Sequence, residues 1–412
     1  MTDPRDVLTG SPYRGYVYAY PHKTAYRRLP EPRPLRDLWK DEDRRALFLY
    51  VHVPFCTMRC GFCNLFTQPQ PADGLAKLYL DALAVEARRV REALPDATFA
   101  RFAIGGGTPT FLSESELATV FDLAERVMGA DPTAIPVGVE TSPDTISPGK
   151  VAVLKARGVD RVSIGVQSFV ESETAASGRP QKTADVLAAL DRLKSAGFGT
   201  LNIDLIYGLP GQTLDTWRTS LRAALGFRPE ELYLYPLYVR PLTGLGKSRK
   251  SWDDVRLACY REARDTLLAE GYSQVSMRMF RRTDAPDSGG PAYCCQTDGM
   301  VGLGAGARSY TRNLHYYSHY AVGAKGVKAI VADYLAREES DFDAVAHGFA
   351  LDGSEQKRRF VLQSLLNSEG LDGAAYFARF GTRADEDFPE LRTFVELGLL
   401  EDNPSPPPPP RS

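Results

Sequence analysis

The feature that most limits how this chain can fold is an alternation of short apolar segments with amphipathic ones between Leu47 and Tyr238. In the intervening segments 77–93 and 184–196, apolar residues recur every three to four positions, which is the period of a helix with one buried face. Strands that alternate with helices build parallel sheets from βα units. The predicted strands are 47–53, 99–104, 135–140, 161–166, 200–206 and 232–238.

Six such units are enough for a barrel. A dinucleotide-binding sheet is the other common parallel architecture, but the glycine-rich segment from Gly105 to Thr110 reads Gly-Gly-Gly-Thr-Pro-Thr and lacks the G-x-G-x-x-G order. We therefore expect an α/β fold with a partial or full (βα) barrel of the TIM type. From Ser354 onwards the pattern changes to short helical segments, which predict a small C-terminal helical domain that resembles a winged helix.

The length of 412 residues allows a barrel-sized core with an appendage. The expected organisation is a leader over 1–45, a core barrel over 46–240, an extension over 241–350 that completes the barrel and the substrate mouth, a winged-helix-like domain over 351–403 and a disordered proline-rich tail over 404–412.

Charge and hydropathy exclude several classes of partner. The formal net charge of −2 argues against nucleic acid as the main partner. No apolar run of about 20 residues is present, so we expect no membrane association, and the first residues lack the build of a signal peptide. We expect a cytoplasmic protein, in which six cysteines stay reduced and are free to bind metal.

Three of the cysteines, Cys56, Cys60 and Cys63, form a C-x3-C-x2-C triad just after the first predicted strand. Three thiolates at this spacing suggest an iron–sulfur cluster with one iron open to a small molecule. Zinc is the alternative, but closed zinc sites require four ligands. The nearby imidazole of His52 precedes the triad along the strand.

Other polar groups follow the predicted strands. In βα barrels, functional groups cluster at the carboxyl ends of the strands. The glycine triplet follows the second strand, Glu140 ends the third, Gln167 follows the fourth and Asp204 lies near the end of the fifth. We expect all of them to face one mouth. The alternative for Glu140 and Asp204 is a pair of buried charges satisfied by local donors.

Each group has a chemical use in such a mouth. Consecutive glycines let the backbone approach a ligand closely. An open iron suits a chelating amino-acid moiety, which leaves Glu140 or Asp204 to accept hydrogen bonds from a ribose or an amine. Arg179 suits bidentate pairing with a carboxylate, and Phe62 is placed to bring an adenine near its backbone.

Four segments carry a family resemblance. YVHVPFC (50–56) with CGFC (60–63), IGGGTPT (104–110), RVSIGVQSF (161–169) and NIDLIYGLP (202–210) resemble radical S-adenosylmethionine enzymes of the oxygen-independent coproporphyrinogen III oxidase-like group. The likeness covers residues 47–240, and residues 354–402 resemble the C-terminal domain of the group more loosely.

The resemblance implies that a 4Fe-4S cluster on the three cysteines chelates S-adenosylmethionine. One electron then cleaves this cofactor to methionine and a 5′-deoxyadenosyl radical, which abstracts hydrogen from a small-molecule substrate. The resemblance also implies an electron donor such as flavodoxin or ferredoxin, and some members bind a second S-adenosylmethionine. The residues implied to line the cofactor pocket are Tyr50, Phe62, Gly106, Gly107, Thr108, Glu140, Gln167, Arg179, Asp204 and Tyr238.

The chain also departs from its group. The oxidases carry another cysteine two residues after the triad, where this chain has Leu65. The haem-chaperone branch carries His-Asn-x-x-Tyr-Trp, to which RNLHYY (312–317) is a poor match. We therefore expect C-methylation or a related radical change on an unidentified small metabolite. The alternatives are decarboxylation of the coproporphyrinogen III oxidase type and a haem chaperone without turnover.

Cys294 and Cys295 are peculiar to this chain and are candidate catalytic residues, as a thiol hydrogen donor or as acid–base groups. The alternative is a pair of small buried hydrophobes, because free cysteine is among the most buried residue types. Other aromatic and titratable residues follow, and a packed aromatic strand is at least as good an interpretation of them as a site. They are His315, Tyr316, Tyr317, His319 and Tyr320.

Overall fold

The computed structural model describes residues 11–13, 19–248, 254–286, 299–317 and 323–401. They divide into two compact units. The larger unit comprises the described residues of Arg27–Gln274 and Arg278–Ala350, and the smaller comprises those up to Tyr26, Val275–Met277 and the described residues from Leu351 onwards. Cys294, Cys295, His319, Tyr320 and the tail 404–412 lie outside the described residues.

The larger unit is organised by a mixed sheet. Its strands, with a separate short pair formed by β3 and β4, are β1 (Arg27–Pro34), β2 (Leu47–Val53), β3 (Phe55–Cys56), β4 (Gln68–Pro69), β5 (Phe99–Gly106), β6 (Val137–Thr141), β7 (Arg161–Gln167), β8 (Thr200–Tyr207), β9 (Glu231–Pro236), β10 (Tyr272–Gln274), β11 (Met279–Arg282), β12 (Met300–Leu303), β13 (Arg308–Tyr310), β14 (Leu314–Tyr317) and β15 (Ala344–Ala350). Across the described residues the strand order is β1-β15-β14-β13-β12-β2-β5-β6-β7-β8-β9-β11-β10.

Helices connect these strands and form the smaller unit. They are α1 (Leu35–Trp39), α2 (Leu75–Ala93), α3 (Glu114–Asp122), α4 (Pro148–Ala156), α5 (Glu171–Ala176), α6 (Thr183–Ala196), α7 (Leu214–Gly226), α8 (Gly244–Lys247), α9 (Arg256–Ala269), α10 (Ala324–Leu335), α11 (Gly353–Leu365), α12 (Gly373–Phe380), α13 (Ala384–Asp387) and α14 (Glu390–Glu396). Short 3-10 turns at Lys23–Ala25, Pro109–Phe111 and Glu339–Phe342 and a π-helical turn at Leu123–Val127 complete the described elements.

The centre of the sheet is the predicted parallel βα array. Strands β2, β5, β6, β7, β8 and β9 pair in parallel in this order, and they correspond to the six predicted strands with small differences at their ends. Strand β12 adds a seventh parallel strand beside β2. Because β1 and β10 end the described sheet without pairing to each other, the α/β fold is a partial barrel.

Side-chain burial explains why these segments form strands and helices. In β2, Leu47, Leu49, Val51 and Val53 are buried, whereas the alternate residue Tyr50 is half-buried on the other face. Helix α2 buries one stripe at helical spacing and helix α6 does the same, as the periodicity predicts. The buried residues of these stripes are Tyr79, Leu80, Leu83, Ala87 and Val90 in α2, and Val186, Ala189, Leu190 and Leu193 in α6.

The smaller unit is helical from α11 to α14, as predicted for the C-terminal region. Val361, Tyr376, Ala384 and Leu391 form its buried core. Asp387 accepts hydrogen bonds from Tyr376, Lys357 and Thr382, which joins three parts of this unit. The domain limits given above remain predictions.

None of the helices in the described part of the chain combines the length and the apolar character that crossing a bilayer requires.

Candidate active site

The register of the parallel strands places several predicted site residues on one face of the sheet, which we call the inner face. Tyr50 pairs with Ala103, and Ala103 pairs in turn with Gly138, two residues before Glu140. Further along, Gly165 pairs with Asp204. Because directly paired residues point to the same side, Tyr50, Glu140 and Asp204 share the inner face. Glu140 lies next to the carboxyl end of β6, whereas Tyr50 and Asp204 lie in the middle of β2 and β8. The sequence predicts this convergence.

The cysteine loop follows β2 and is held by backbone contacts at Gly61. The Gly61 N–H donates to the Ser177 carbonyl at 2.9 Å, and the Leu245 N–H donates to the Gly61 carbonyl at 2.8 Å. A Cβ atom on Gly61 would lie 2.6 Å from the Ser177 oxygen, so a side chain at this position would push the two segments apart. The loop therefore has a defined conformation around its three thiols.

Each of the three thiols has a polar neighbour. Thr108 Oγ1 lies 3.5 Å from Cys56 Sγ, Thr67 Oγ1 lies 3.5 Å from Cys63 Sγ, and Arg179 Nη1 donates to Cys60 Sγ at 3.3 Å. Five predicted site residues, the three cysteines with Thr108 and Arg179, are thus brought together here.

The electrostatics of the thiols fit a bound cationic centre. Burial, together with the charges of Cys60 and Cys63, raises the pKa of the Cys56 thiol to about 12. Burial also raises the pKa of Cys60, against the lowering effect of Arg179. Three thiolates this close are costly unless metal ions neutralise them, so the donor set suits a cofactor that brings its own positive charge.

A single metal ion fits less well. In zinc sites the sulfurs lie about 2.3 Å from one centre. The triad supplies three thiols, one fewer than a closed zinc site requires, and a 4Fe-4S cluster on three thiolates keeps one iron open. The cysteine triad therefore suits an iron–sulfur cluster better than zinc.

The glycine triplet fits against the chain's own groups. A Cβ atom on Gly105 would lie 2.9 Å from Glu140 Oε2 and 3.1 Å from the Tyr50 hydroxyl, and one on Gly107 would lie 2.6 Å from the Phe55 carbonyl oxygen. Gly106 has a φ of +115°, which favours glycine, and its N–H donates to Glu140 Oε2 at 3.1 Å. These contacts within the chain are enough to require glycine at the three positions. The sequence analysis instead expects glycine there so that a ligand can approach the backbone closely.

His52 contacts the predicted site residue Tyr50, a role that the sequence does not predict. Its Nε2 lies 3.0 Å from the Phe66 carbonyl and its Nδ1 lies 3.2 Å from the Tyr50 hydroxyl. Burial lowers the pKa of His52 to about 4, so the ring is neutral near pH 7. Because a carbonyl only accepts, Nε2 carries the proton and Nδ1 accepts from Tyr50. His52 therefore fixes the direction of the Tyr50 hydroxyl.

The two predicted carboxylates lie close enough to affect each other. Burial raises the pKa of Asp204 to about 7, helped by the charge of Glu140 and opposed by a 2.7 Å hydrogen bond from Asn202 Nδ2. Water reaches the Glu140 side chain, yet the surrounding protein raises its pKa as well. Two carboxyl groups that repel each other can accept hydrogen bonds from a ligand, and a donating ligand would relieve their repulsion.

Basic groups also lie on the inner face, and the sequence gives no sign of them. Arg161 Nε and Arg281 Nη1 lie 2.8 Å and 2.6 Å from the two oxygens of Glu231. Nearer the site, Arg278 acts electrostatically on Asp204, and its guanidinium lies 5.6 Å from the centre of the Tyr235 ring. Arg308 acts in the same way on His52. The mouth therefore combines carboxylates with guanidinium groups.

Gln167 and Arg179 lie at a distortion of the sheet. The register between β7 and β8 shifts between Gly165 and Gln167, and Gln167 has a φ of +69°, which is strained for a residue other than glycine. Arg179 Nη2 donates to the Gly165 carbonyl at 2.7 Å. The Arg179 guanidinium thus donates a hydrogen bond to the backbone of the chain. The sequence analysis expects it to pair with the carboxylate of a ligand.

Two aromatic residues of the predicted pocket, Phe62 and Tyr238, contact different parts of the chain. Phe62 packs against the apolar cluster of Ile206, Leu209, Leu237 and Leu245. Tyr238 does not end the sixth strand as expected, because β9 ends at Pro236. The Arg240 guanidinium lies 4.3 Å from the centre of the Tyr238 ring.

Comparisons with known proteins agree with this geometry. The model of the radical SAM superfamily matches residues 50–224, which contain the triad, the glycine triplet, Glu140, Gln167, Arg179 and Asp204. The heme chaperone HemW of Bacillus subtilis is 29% identical over 373 residues, covering 86% of this chain and 93% of that protein. The oxygen-independent coproporphyrinogen III oxidase of Salmonella typhimurium is 28% identical over 378 residues, covering 87% and 80%.

A solved structure has the same fold. The structure of coproporphyrinogen III oxidase (HemN) from Escherichia coli aligns with a TM-score of 0.78 at 24% identity, covering 93% of this chain and 90% of that one.

Proposed function

Because this chain belongs to the radical SAM superfamily, in its oxygen-independent coproporphyrinogen III oxidase-like group, we propose that it cleaves S-adenosylmethionine reductively and acts on a tetrapyrrole. Cys56, Cys60 and Cys63 would hold a 4Fe-4S cluster, which supplies the electron and an open iron for the amino-acid part of S-adenosylmethionine.

The remaining predicted residues would bind S-adenosylmethionine. Glu140 and Asp204 would accept hydrogen bonds from its ribose or amine, and the Tyr50 hydroxyl, directed by His52, would contact it from β2. Arg179 would neutralise the thiolate of Cys60 and orient the carboxylate of the ligand. These roles, with those of Phe62, Gly106, Gly107, Thr108, Gln167 and Tyr238, are proposals that rest on position.

The substrate class follows from the relatives and from one feature of the site. The relatives named above are described as a coproporphyrinogen oxidase and a heme chaperone, so they favour a tetrapyrrole over the C-methylated metabolite expected from the sequence. The feature that supports this choice is the positive charge of Arg278 and Arg308, which acts electrostatically on Asp204 and on His52. Guanidinium groups suit the carboxylate side chains that such a substrate carries.

The reaction we propose first is oxidative decarboxylation of a tetrapyrrole side chain. The side chain gives up one hydrogen atom, which ends in 5′-deoxyadenosine, and loses carbon dioxide, and the one electron that remains passes to an external one-electron acceptor supplied in the assay. The test is anaerobic incubation of reconstituted, reduced protein with S-adenosylmethionine and coproporphyrinogen III, with products identified by mass spectrometry. We expect 5′-deoxyadenosine together with a tetrapyrrole that has lost carbon dioxide. S-adenosylhomocysteine with a methylated product would instead point to a second S-adenosylmethionine and to methyl transfer.

A haem chaperone without turnover is the second candidate, and Leu65 favours it. The oxidases carry a cysteine where this chain has an exposed leucine, so a thiol beside their cluster is missing here. Haem titration of the purified protein separates the two functions. Tight stoichiometric binding with coproporphyrinogen III left unchanged would favour the chaperone and contradict decarboxylation.

A further inference from the structure

Two residues of the cysteine loop, Arg59 and Thr67, have no part in the function proposed above. Arg59 lies between the first two cysteines of the triad, and Thr67 follows the third cysteine by four residues. Arg59 is half-buried, and the exposed fraction of Thr67 is 2%. A hydroxyl that is shielded from water needs hydrogen-bond partners inside the protein, so the contacts of Thr67 indicate what it does.

Arg59 connects the two halves of the cysteine loop. Its Nη1 donates to the Thr67 carbonyl at 3.0 Å and to Thr67 Oγ1 at 3.0 Å, and its Nη2 donates to the Cys63 carbonyl at 3.3 Å. Because the guanidinium is planar and rigid, these bonds fix the segment from Cys63 to Thr67 relative to Arg59. Arg59 directly precedes Cys60, so one residue joins the second cysteine to the segment that begins at the third.

The partners of the Thr67 hydroxyl determine the direction of its proton. Within the described residues, Thr67 Oγ1 lies 3.0 Å from Arg59 Nη1 and 3.5 Å from Cys63 Sγ. A guanidinium nitrogen only donates, so the hydroxyl oxygen accepts from Arg59, and its proton is left for the sulfur of Cys63. A cysteine that binds a metal is a thiolate, which accepts hydrogen bonds, so Thr67 is the donor when the loop holds its cofactor.

A donor at Cys63 has a consequence for the cofactor. Hydrogen bonds to the sulfur ligands are among the factors that set the reduction potential of an iron–sulfur cluster. An added electron increases the negative charge on the sulfurs, so a donor stabilises the reduced form more than the oxidised form and raises the potential. Thr108 and Arg179, beside Cys56 and Cys60, are also placed in the proposed S-adenosylmethionine pocket, whereas Thr67 is not. The effect of Thr67 on the cluster can therefore be measured by itself.

We propose that Arg59 is a positioning residue that directs the Thr67 hydroxyl to the sulfur of Cys63, and that this hydrogen bond raises the reduction potential of the cluster. The inference rests on the proposed function, because it requires a 4Fe-4S cluster on the three cysteines. The positive charge of Arg59 acts on the potential in the same direction, so the test has to separate the charge from the hydrogen bond.

The first test concerns the hydroxyl. The reconstituted cluster is titrated with redox dyes at matched iron content and without S-adenosylmethionine, and the reduced form is followed by electron paramagnetic resonance. T67V keeps nearly the same shape and loses the hydroxyl, so we expect about tenfold less reduced cluster at a fixed ambient potential, which is about 59 mV for a one-electron couple. T67S keeps the hydroxyl and should have the potential of the unsubstituted chain.

The second test concerns Arg59. R59K keeps the positive charge and loses the planar fork, so a lower potential in R59K measures the loss of the directed hydrogen bond. We expect R59K to lower the potential in the same direction as T67V. In the double variant R59K/T67V, the change at Arg59 should have no further effect, because no hydroxyl remains to be directed.

The matched control is R91K. Arg91 is also half-buried, and its Nη1 donates to the Ala97 carbonyl at 2.8 Å. Ala97 lies just before β5 begins, at the end of the sheet away from the cysteine loop. R91K therefore makes the same substitution at a guanidinium that also donates to a backbone carbonyl, and we expect an unchanged potential.

The outcomes separate this inference from the proposed function. Absence of a 4Fe-4S cluster from the unsubstituted chain after anaerobic reconstitution, measured as iron and sulfide, would refute the proposed function. A normal cluster whose potential is unchanged in T67V would refute the hydrogen bond and leave the proposed function intact. An unchanged potential in R59K, an equal drop from R59K with and without the Thr67 hydroxyl, or an equal drop in R91K would overturn the positioning role of Arg59.

Discussion

The side chain of Gln181 joins Arg179 to the strained end of β7. Its carbonyl oxygen accepts from Arg179 Nε at 3.3 Å, and its amide donates to the Val166 and Ser168 carbonyls at 2.8 Å and 3.1 Å. Those two carbonyls flank Gln167, whose φ is +69°. One amide group thus holds the distorted backbone at Gln167 and the guanidinium that donates to Cys60 Sγ. We infer that Gln181 positions two residues of the proposed cofactor pocket.

The first prediction concerns Q181A. A neutral hydrogen bond contributes about 1 kcal/mol, so losing this set should weaken S-adenosylmethionine binding by roughly tenfold while the cluster is retained. The measurement is equilibrium binding at matched iron content. Q212A is the control, because the Gln212 amide also makes several hydrogen bonds to the chain. It accepts from the Gly208 N–H at 2.6 Å and donates to Glu173 at 3.0 Å. Equal weakening in both variants would assign the effect to general loss of stability.

The second prediction concerns the cysteines. Alanine at Cys56, Cys60 or Cys63 should prevent assembly of a 4Fe-4S cluster, because each supplies one of three thiolates. C259A should leave assembly intact, since Cys259 is fully buried in α9. Iron and sulfide are measured per chain after anaerobic reconstitution. A full cluster signal in a variant with all three cysteines replaced would contradict the assignment.

The third prediction is that Tyr50 and His52 act as a pair. H52A leaves the Tyr50 hydroxyl without the acceptor that directs it, so Y50F and H52A should each weaken S-adenosylmethionine binding several-fold. The double variant should be little weaker than either single one, because residues in one hydrogen-bond network do not act additively. A double-mutant cycle of dissociation constants is the measurement, and simple addition of the two effects would show that His52 does not direct Tyr50.

What could be predicted from the sequence depends on periodicity and on strand ends. Alternating patterns predict the six parallel strands, and residues that follow parallel strands meet at one edge, which places Glu140 beside Asp204. The roles of His52 and Gln181 could not be predicted, because they depend on which backbone carbonyls lie within reach of each side chain. Arg278 and Arg308 lie beyond the parallel array, in strands or connections whose register the sequence pattern does not define.

The last prediction concerns pH and Asp204. Its pKa in the folded chain is about 7, against an ordinary value near 4, so the folded state holds this proton more tightly than the unfolded state. The contribution of Asp204 to stability is therefore present at low pH and is lost as pH rises toward 7.

S-adenosylmethionine binding should change in the opposite direction, because only the ionised carboxylate accepts the charge-assisted hydrogen bonds proposed for it. Affinity should fall as pH drops below about 7 in the unsubstituted chain. In D204N, affinity should be about ten- to a hundredfold weaker and flat across this range. Binding titrations between pH 5.5 and 8.5 (roughly 1.5 units either side of the midpoint, where a single group titrates) measure both effects. An unchanged pH profile in D204N would assign the titration to another group, and unchanged affinity in both D204N and E140Q would leave the two carboxyl groups with structural roles.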